Sequence, residues 1–163
     1  MTKKYSILLG LAVLTFIVIS TPVQAQNEPI QLALFSPIQI FPEDNHIEGF
    51  RFNLLYGRNA SVKGLDVGLV NHVTSGLSKG LQVGFLSMAD SDFNGLQYSA
   101  VNVTKGRFDG FQLGFVNYAH KMDKLQFGIV NYADSLKGIQ IGLVNIIKQG
   151  GRFPFFPIIN WSL

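Results

Sequence analysis

An eight-residue motif recurs six times in this 163-residue chain, and the repeat restricts the fold more than any other sequence feature. The copies are GLDVGLVN (64–71), GLQVGFLS (80–87), GLQYSAVN (95–102), GFQLGFVN (110–117), KLQFGIVN (124–131) and GIQIGLVN (138–145). Their first residues are 16, 15, 15, 14 and 14 positions apart. A degenerate copy begins at Gly49, and PIQI (37–40) indicates a partial one before it. Such units stack on their neighbours to bury a shared core.

Within each copy, apolar residues occupy positions 2, 4 and 6, as in Leu81, Val83 and Phe85. Between them lie a glutamine at position 3 and, in most copies, a glycine at position 5. This alternation predicts a β-strand with one buried face and one wetter face. Position 7 is also apolar, position 8 is usually asparagine, and the polar residues that follow predict a turn. We therefore expect a chain built only of strands and turns.

The single period favours a β-solenoid, in which each unit is one coil and equivalent residues stack in parallel. Stacked amides form ladders, which we expect at Asn71, Asn102, Asn117, Asn131 and Asn145, and at Gln82, Gln97, Gln112, Gln126 and Gln140. The turns are all of similar length, whereas a membrane barrel alternates short and long ones. The sequence thus predicts an all-β solenoid of about seven coils of 14–16 residues, with a cap at each end.

An antiparallel β-meander or a small outer-membrane β-barrel is the alternative. The motif extends to a strand of about ten residues, which is enough to cross a bilayer at a tilt. The chain also ends in IINWSL (158–163), where apolar residues alternate with polar ones. In that fold the glycines and glutamines would line a polar lumen and the apolar residues would face lipid.

The N-terminal segment is typical of an export signal. Lys3 and Lys4 precede an apolar run at 7–19, and VQA (23–25) ends in a small residue suited to cleavage. We predict a signal peptide at 1–25, an N-terminal cap at 26–48, a repeat domain at 49–151 and a proline-marked C-terminal cap at 152–163. Removing the two lysines leaves 11 basic and 10 acidic residues, with no basic patch for nucleic acid.

The sequence carries no recognisable catalytic chemistry. It has no cysteine, and the three histidines, His46, His72 and His120, lie in different units without metal-ligand spacing. The turns contain Asp90, Asp92, Asp109, Asp123 and Asp134. We interpret these aspartates as turn residues in preference to a calcium-binding stripe. We therefore predict no enzyme activity, no cofactor and no metal site. Tyr118 and Tyr132 share position 9 and are a candidate contact surface for a glycan or a protein.

The iterated motif, together with RFNLLYGRN (51–59) and FPIINW (156–161), resembles a family of bacterial surface-repeat-containing proteins of uncharacterised function. The resemblance covers residues 49–161 and implies an exported cell-envelope protein at the cell surface, outer membrane or periplasm. We expect a non-enzymatic scaffold that presents a β-face to a protein or glycan. A barrel with a structural or transport role is the alternative. Departures from the motif at Ser87, Lys124 and Ser99-Ala100 are expected to bulge or bend their coils.

Overall fold

The computed structural model describes residues 26–162 and consists of nine β-strands. They are β1 (Asn27–Phe35), β2 (Ile38–Gln39), β3 (His46–Asn59), β4 (Ser61–Val73), β5 (Ser78–Ala89), β6 (Phe93–Leu113), β7 (Val116–Phe127), β8 (Val130–Gln149) and β9 (Phe155–Ser162). The predicted signal peptide, 1–25, lies outside the described residues. Within 26–162 there is no helix long and apolar enough to cross a membrane.

The strands from β3 to β8 pair in parallel with their neighbours in the chain, and the motif copies align position on position. Gly80, for example, pairs with Gly64 on one side and with Gly95 on the other. The predicted β-solenoid is confirmed, with about eight coils spaced about 15 residues apart. The antiparallel alternative, meander or barrel, is wrong because successive units run in the same direction.

The extra coil lies at the N-terminal end of the solenoid. Strand β1 pairs in parallel with β3, so that Gln31 lies beside Arg51 and Leu32 beside Phe52. Residues 26–48, which we expected to form a cap, therefore contribute a coil of their own. The partial copy expected at 37–40 is wrong, because Ile38–Gln39 is a short strand antiparallel to β1. The true counterpart of the motif is the Ile30-Gln31-Leu32 segment.

Antiparallel strands lie at both ends of the stack. At the C-terminal end, β9 runs antiparallel to β8, with Asn160 opposite Gln140 and Trp161 opposite Ile139. At the other end, β2 is antiparallel to β1. A strand that runs against the repeat direction covers the open edge of a stack and stops further coils from adding in register. The predicted C-terminal cap segment, 152–163, contains this strand.

The apolar part of the interior comes from the second half of each unit. Phe93, Phe108, Met122 and Leu136 lie in one buried column, in register from coil to coil. The rings of Phe93 and Phe108 are stacked, with their centroids 5.5 Å apart and their planes 2° from parallel. Small residues such as Ala119 and Ala133 form a second buried column. These side chains pack against the polar side chains that the motif itself supplies.

Motif position 1 is a tight corner that favours glycine. At Gly95, φ is 136°, and a Cβ atom would lie 2.1 Å from the carbonyl oxygen of Gly80. Lys124 takes the same corner with φ of 92°, a region that L-residues rarely adopt. It nevertheless stays in register between Gly110 and Gly138, so the bulge expected at Lys124 is absent.

Candidate functional site: two polar columns and an apolar outer face

The glutamines at motif position 3 form a buried column along the inside of the solenoid. From the second glutamine onward, each side-chain nitrogen donates a hydrogen bond to the amide oxygen of the glutamine one coil earlier, over 2.7–2.9 Å. The members are Gln82, Gln97, Gln112, Gln126 and Gln140, each at most 1% exposed. An amide suits such a column because it both donates and accepts. The structure therefore brings together all five glutamines proposed for a ladder.

An ion pair continues this column towards the N-terminal end. Arg51 and Asp66 take the glutamine position in the two coils before Gln82. The Arg51 guanidinium donates two hydrogen bonds to the Asp66 carboxylate, at 2.7 and 2.6 Å, and both side chains are buried. Gln82 donates to the same carboxylate at 2.8 Å. The charges are thus neutralised pairwise inside the column, and removing either one would leave the other buried and unpaired.

The asparagines at motif position 8 form a second buried column. Asn102, Asn117 and Asn131 each donate from the side-chain nitrogen to the amide oxygen of the next asparagine, at 2.8 Å, and the run ends at Asn145. Each of the four also donates to a backbone carbonyl of the next coil or end strand. These bonds tie the corner of one coil to the strand of the next, in the way that a backbone ladder does.

The fifth predicted asparagine, Asn71, lies apart from this run. Its amide oxygen accepts a hydrogen bond from Asn53 at 2.7 Å, and its nitrogen donates to the carbonyl of Val83 at 2.8 Å. Ser87 occupies the next step of the column and interrupts it. The amide oxygen of Asn102 is consequently buried without a hydrogen-bond partner among the described residues. The sequence did not single out Asn53, because it stands at position 5 of a degenerate copy.

Glycine at position 5 provides the space that the asparagine column needs. A Cβ atom on Gly128 would lie 2.6 Å from the side-chain nitrogen of Asn117, and one on Gly114 would lie 2.7 Å from that of Asn102. The position-8 side chain of each coil thus fills the volume in front of the position-5 residue of the next. This contact explains why a glycine shares the strand face of the glutamine.

The apolar residues of the motif point outward and its glutamines point inward. Phe85, Phe115 and Leu143 at position 6 are 61%, 64% and 68% exposed, whereas the glutamines of the same strands are buried. The alternation in the sequence leaves this orientation open, because a period-two pattern separates two faces without saying which one lies inside. We call positions 2, 4, 6 and 7 of the six motif copies the apolar face. No charged residue occurs at any of these positions.

The apolar face carries a trough beside a ridge, both running along the solenoid axis. The ridge is the column of position-6 side chains: Leu69, Phe85, Ala100, Phe115, Ile129 and Leu143. The trough, about 710 Å³ in volume, lies between this ridge and the position-4 side chains Val83, Tyr98, Leu113 and Phe127. Its floor is the row of small residues at position 5.

Tyr118 and Tyr132 lie next to each other in strands β7 and β8, on a polar side of the solenoid. Their rings are stacked with centroids 5.5 Å apart, and both hydroxyl groups donate to Asp134, at 3.1 and 3.2 Å. Hydrogen bonding from His120 and from the tyrosines lowers the pKa of Asp134 below its usual 3.8, although partial burial opposes this. Burial and the bond to Asp134 raise the pKa of Tyr118. The polar ends of both rings are therefore engaged within the chain.

The predicted surface histidines have different environments. His120 is half exposed and bonds to Asp134, but His72 is mostly buried between Tyr56 and Asp90, at 2.8 Å from each. Partial burial opposes ionisation of Asp90, yet hydrogen bonds from Lys105 and His72 lower its pKa overall. Residues 26–162 contain no group of three or more histidine, aspartate or glutamate residues placed to hold a metal ion. The interpretation of the aspartates as turn residues is wrong for Asp109, Asp123 and Asp134, which lie within β6, β7 and β8, whereas Asp90 and Asp92 lie between β5 and β6. Asp123, for example, pairs with Arg107 of the neighbouring coil.

The fold and its interior columns define a β-solenoid repeat protein with an apolar exterior. No protein-family model matches the chain, and neither a curated protein nor a solved structure matches it.

Proposed function

We propose that this chain is an exported scaffold of the bacterial cell envelope that acts by binding through its apolar face and has no enzymatic activity. The observation that carries the proposal is the contrast between the two sides of each strand. The polar side chains of the motif point inward and hydrogen-bond to one another from coil to coil, while its large apolar side chains are exposed along six consecutive coils. Exposed apolar surface lowers stability and solubility, so its regular repetition argues for a covering partner.

Export is supported by the sequence of residues 1–25 and by the resemblance to bacterial surface-repeat proteins. The full chain, produced in a Gram-negative host, should be recovered outside the cytoplasm with Gln26 as its first residue. Cell fractionation measures the compartment of the chain, and N-terminal sequencing measures its first residue. Recovery of uncleaved chain in the cytoplasm would contradict the envelope assignment.

Binding through the apolar face is tested by replacing three ridge residues together, Phe85→Ser, Phe115→Ser and Leu143→Ser. These side chains touch the solvent, so the variant should keep the β-type circular dichroism spectrum. The wild-type chain should associate, either with itself in sedimentation or with phosphatidylcholine vesicles in flotation, and the variant should do neither. If the variant associates as the wild type does in both assays, the apolar face is not the binding surface.

The proposal of a non-enzymatic role is supported by the contacts that the ionisable groups make. The buried pair Arg51 and Asp66 neutralises itself, and the partly buried Asp90 and Asp134 are each held by hydrogen bonds from neighbouring coils. Groups engaged in this way stabilise the stack and do not converge on a substrate cleft. The alternative function, transport through a closed barrel, has no support once the coils are parallel.

A further inference from the structure

We propose that the apolar face binds a second copy of this chain, and that the ridge of each copy fills the trough of the other. The proposal rests on the proposed function, because it requires the apolar face to be a binding surface. It adds the identity of the partner and the geometry of the complex.

The ridge and the trough are self-complementary because they are neighbours that run in the same direction. A two-fold axis parallel to the solenoid axis, lying in the interface midway between ridge and trough, exchanges the two features. It therefore places the ridge of one copy in the trough of the other, and the reverse, as an isologous interface requires. Under this symmetry each coil faces its own equivalent. Phe115 of one copy then enters the trough at the level of Leu113 and Phe127 in the other.

The size of the apolar face suits a stable dimer. Six motif coils at about 4.8 Å and the six residues from position 2 to position 7 at about 3.3 Å give a footprint of roughly 25 by 20 Å. Protruding side chains make the accessible area larger than this projection, close to the ~800 Å² per partner of a standard interface. The trough of about 710 Å³ gives the ridge side chains a place to be buried on association.

The chemistry of the face and its border favours a protein copy over an anionic membrane. Homodimer interfaces are depleted of charge and enriched in aromatic residues at their centre, as the positions occupied by Phe85, Tyr98, Phe115 and Phe127 are. Surfaces that bind anionic lipid carry basic residues beside the apolar patch. Here the residues that immediately precede position 1 carry charges of both signs, which does not suit an anionic membrane. They are Lys63, Lys79, Asp109, Asp123 and Lys137.

The mass of the full chain in solution is the first test. Sedimentation equilibrium should give twice the monomer mass at micromolar concentration, and Phe115→Glu should raise the dimer Kd by about 30-fold or more. Leu77→Glu is the matched control, because Leu77 is an exposed apolar residue between β4 and β5, outside the motif copies, and this variant should remain dimeric. Leu143→Ser provides a second, milder variant in case Phe115→Glu does not fold.

Cross-linking tests the geometry, and the absence of cysteine from the chain makes it direct. Phe85→Cys and Leu143→Cys lie near opposite ends of the ridge, and each should join to its own equivalent through a short bismaleimide. A Leu77→Cys chain should not. Cross-linking at neither ridge end, or a monomeric wild-type chain, would overturn the proposal.

A monomer that floats with phosphatidylcholine vesicles, and loses flotation in Phe115→Glu, would overturn the dimer but leave the proposed function standing. A monomer that shows no flotation either would overturn both.

Discussion

The side-chain oxygens of Ser87 and Ser99 lie 2.6 Å apart in a buried hydrogen bond, at the one step between motif copies where the asparagine and the glycine are both replaced. Elsewhere the asparagine at position 8 fills the space in front of a glycine in the next coil. Here a smaller serine at position 8 leaves room for a serine at position 5. The two departures from the motif compensate each other, and the strands on either side stay in register without the expected bulge.

This compensation predicts a strong coupling between the two positions. Ser87→Asn alone should destabilise the chain by about 1–3 kcal/mol, because its larger side chain meets the Ser99 hydroxyl in a close-packed interior. Adding Ser99→Gly should restore the stability, because it makes room for the introduced amide, which can then donate to the unpaired oxygen of Asn102. Chemical denaturation of the four chains of a double-mutant cycle measures the coupling. Additive effects of the two substitutions would show that the serines are independent.

The asparagine column should contribute to stability through its continuity. Asn117→Leu removes a donor to Asn131 and an acceptor for Asn102, and should lower the free energy of unfolding by about 1–3 kcal/mol. Asn94→Leu is the matched control at an exposed position and should change it by less than about 0.5 kcal/mol. Thermal unfolding followed by circular dichroism compares the two. Equal melting temperatures for all three chains would contradict a structural role for the column.

The ion pair in the glutamine column should behave as a unit. Arg51→Gln or Asp66→Gln alone leaves one buried charge without its partner and should destabilise the chain by about 3–5 kcal/mol. The double variant extends the glutamine column by two steps and should recover most of that loss. Denaturation midpoints of the two single variants and the double variant test this. A double variant as unstable as the sum of the single ones would show that an amide does not fit these two coils.

Asp134 makes the stability of the fold depend on pH in the acidic range. Its pKa is lowered in the folded chain, so the folded state binds the proton less tightly than the unfolded state does. Its contribution is therefore present above the usual pKa of 3.8 and is lost as the pH falls through the lower folded value. Asp134→Asn should be less stable than wild type at pH 7 by about 1 kcal/mol or less, and this difference should vanish near pH 2.

Denaturation curves at pH 7, 4 and 2 measure this difference. Asp44→Asn, at an exposed carboxylate, is the matched control. A difference between wild type and Asp134→Asn that stays constant over this range would exclude the stabilising role of the Asp134 carboxylate.

Most of the architecture could be predicted from the repeat. The nearly constant period predicted that the coils stack in parallel. It therefore also predicted that equivalent amides lie beside each other in neighbouring coils, as Gln97 lies beside Gln82 and Asn131 beside Asn117. The first coil escaped detection because Gln31 precedes Arg51 by 20 residues and no glycine flanks it. Its match with β3 appears only once the strands are paired.

The orientation of the strand could not be predicted by the usual rule that apolar residues lie inside. Amides that bond to their own equivalents in the next coil lose little on burial, so Gln112 is as well placed inside as a leucine would be. The sequence feature that indicates the inner face is the row of small residues at position 5. Glycine shares the strand face of glutamine, as Gly114 does with Gln112, and a tight interior explains this better than a wet surface does.

The central claim is that the amides lie inside and the apolar side chains outside, and side-chain amide hydrogen exchange tests it most directly. In NMR spectra of the native chain, the side-chain NH₂ protons of Gln112, Gln126 and Asn117 should persist long after those of the exposed Gln149 have exchanged. Both hydrogen bonding and burial slow this exchange. Exchange of the column amides as fast as that of Gln149 would contradict the account and place the apolar residues inside.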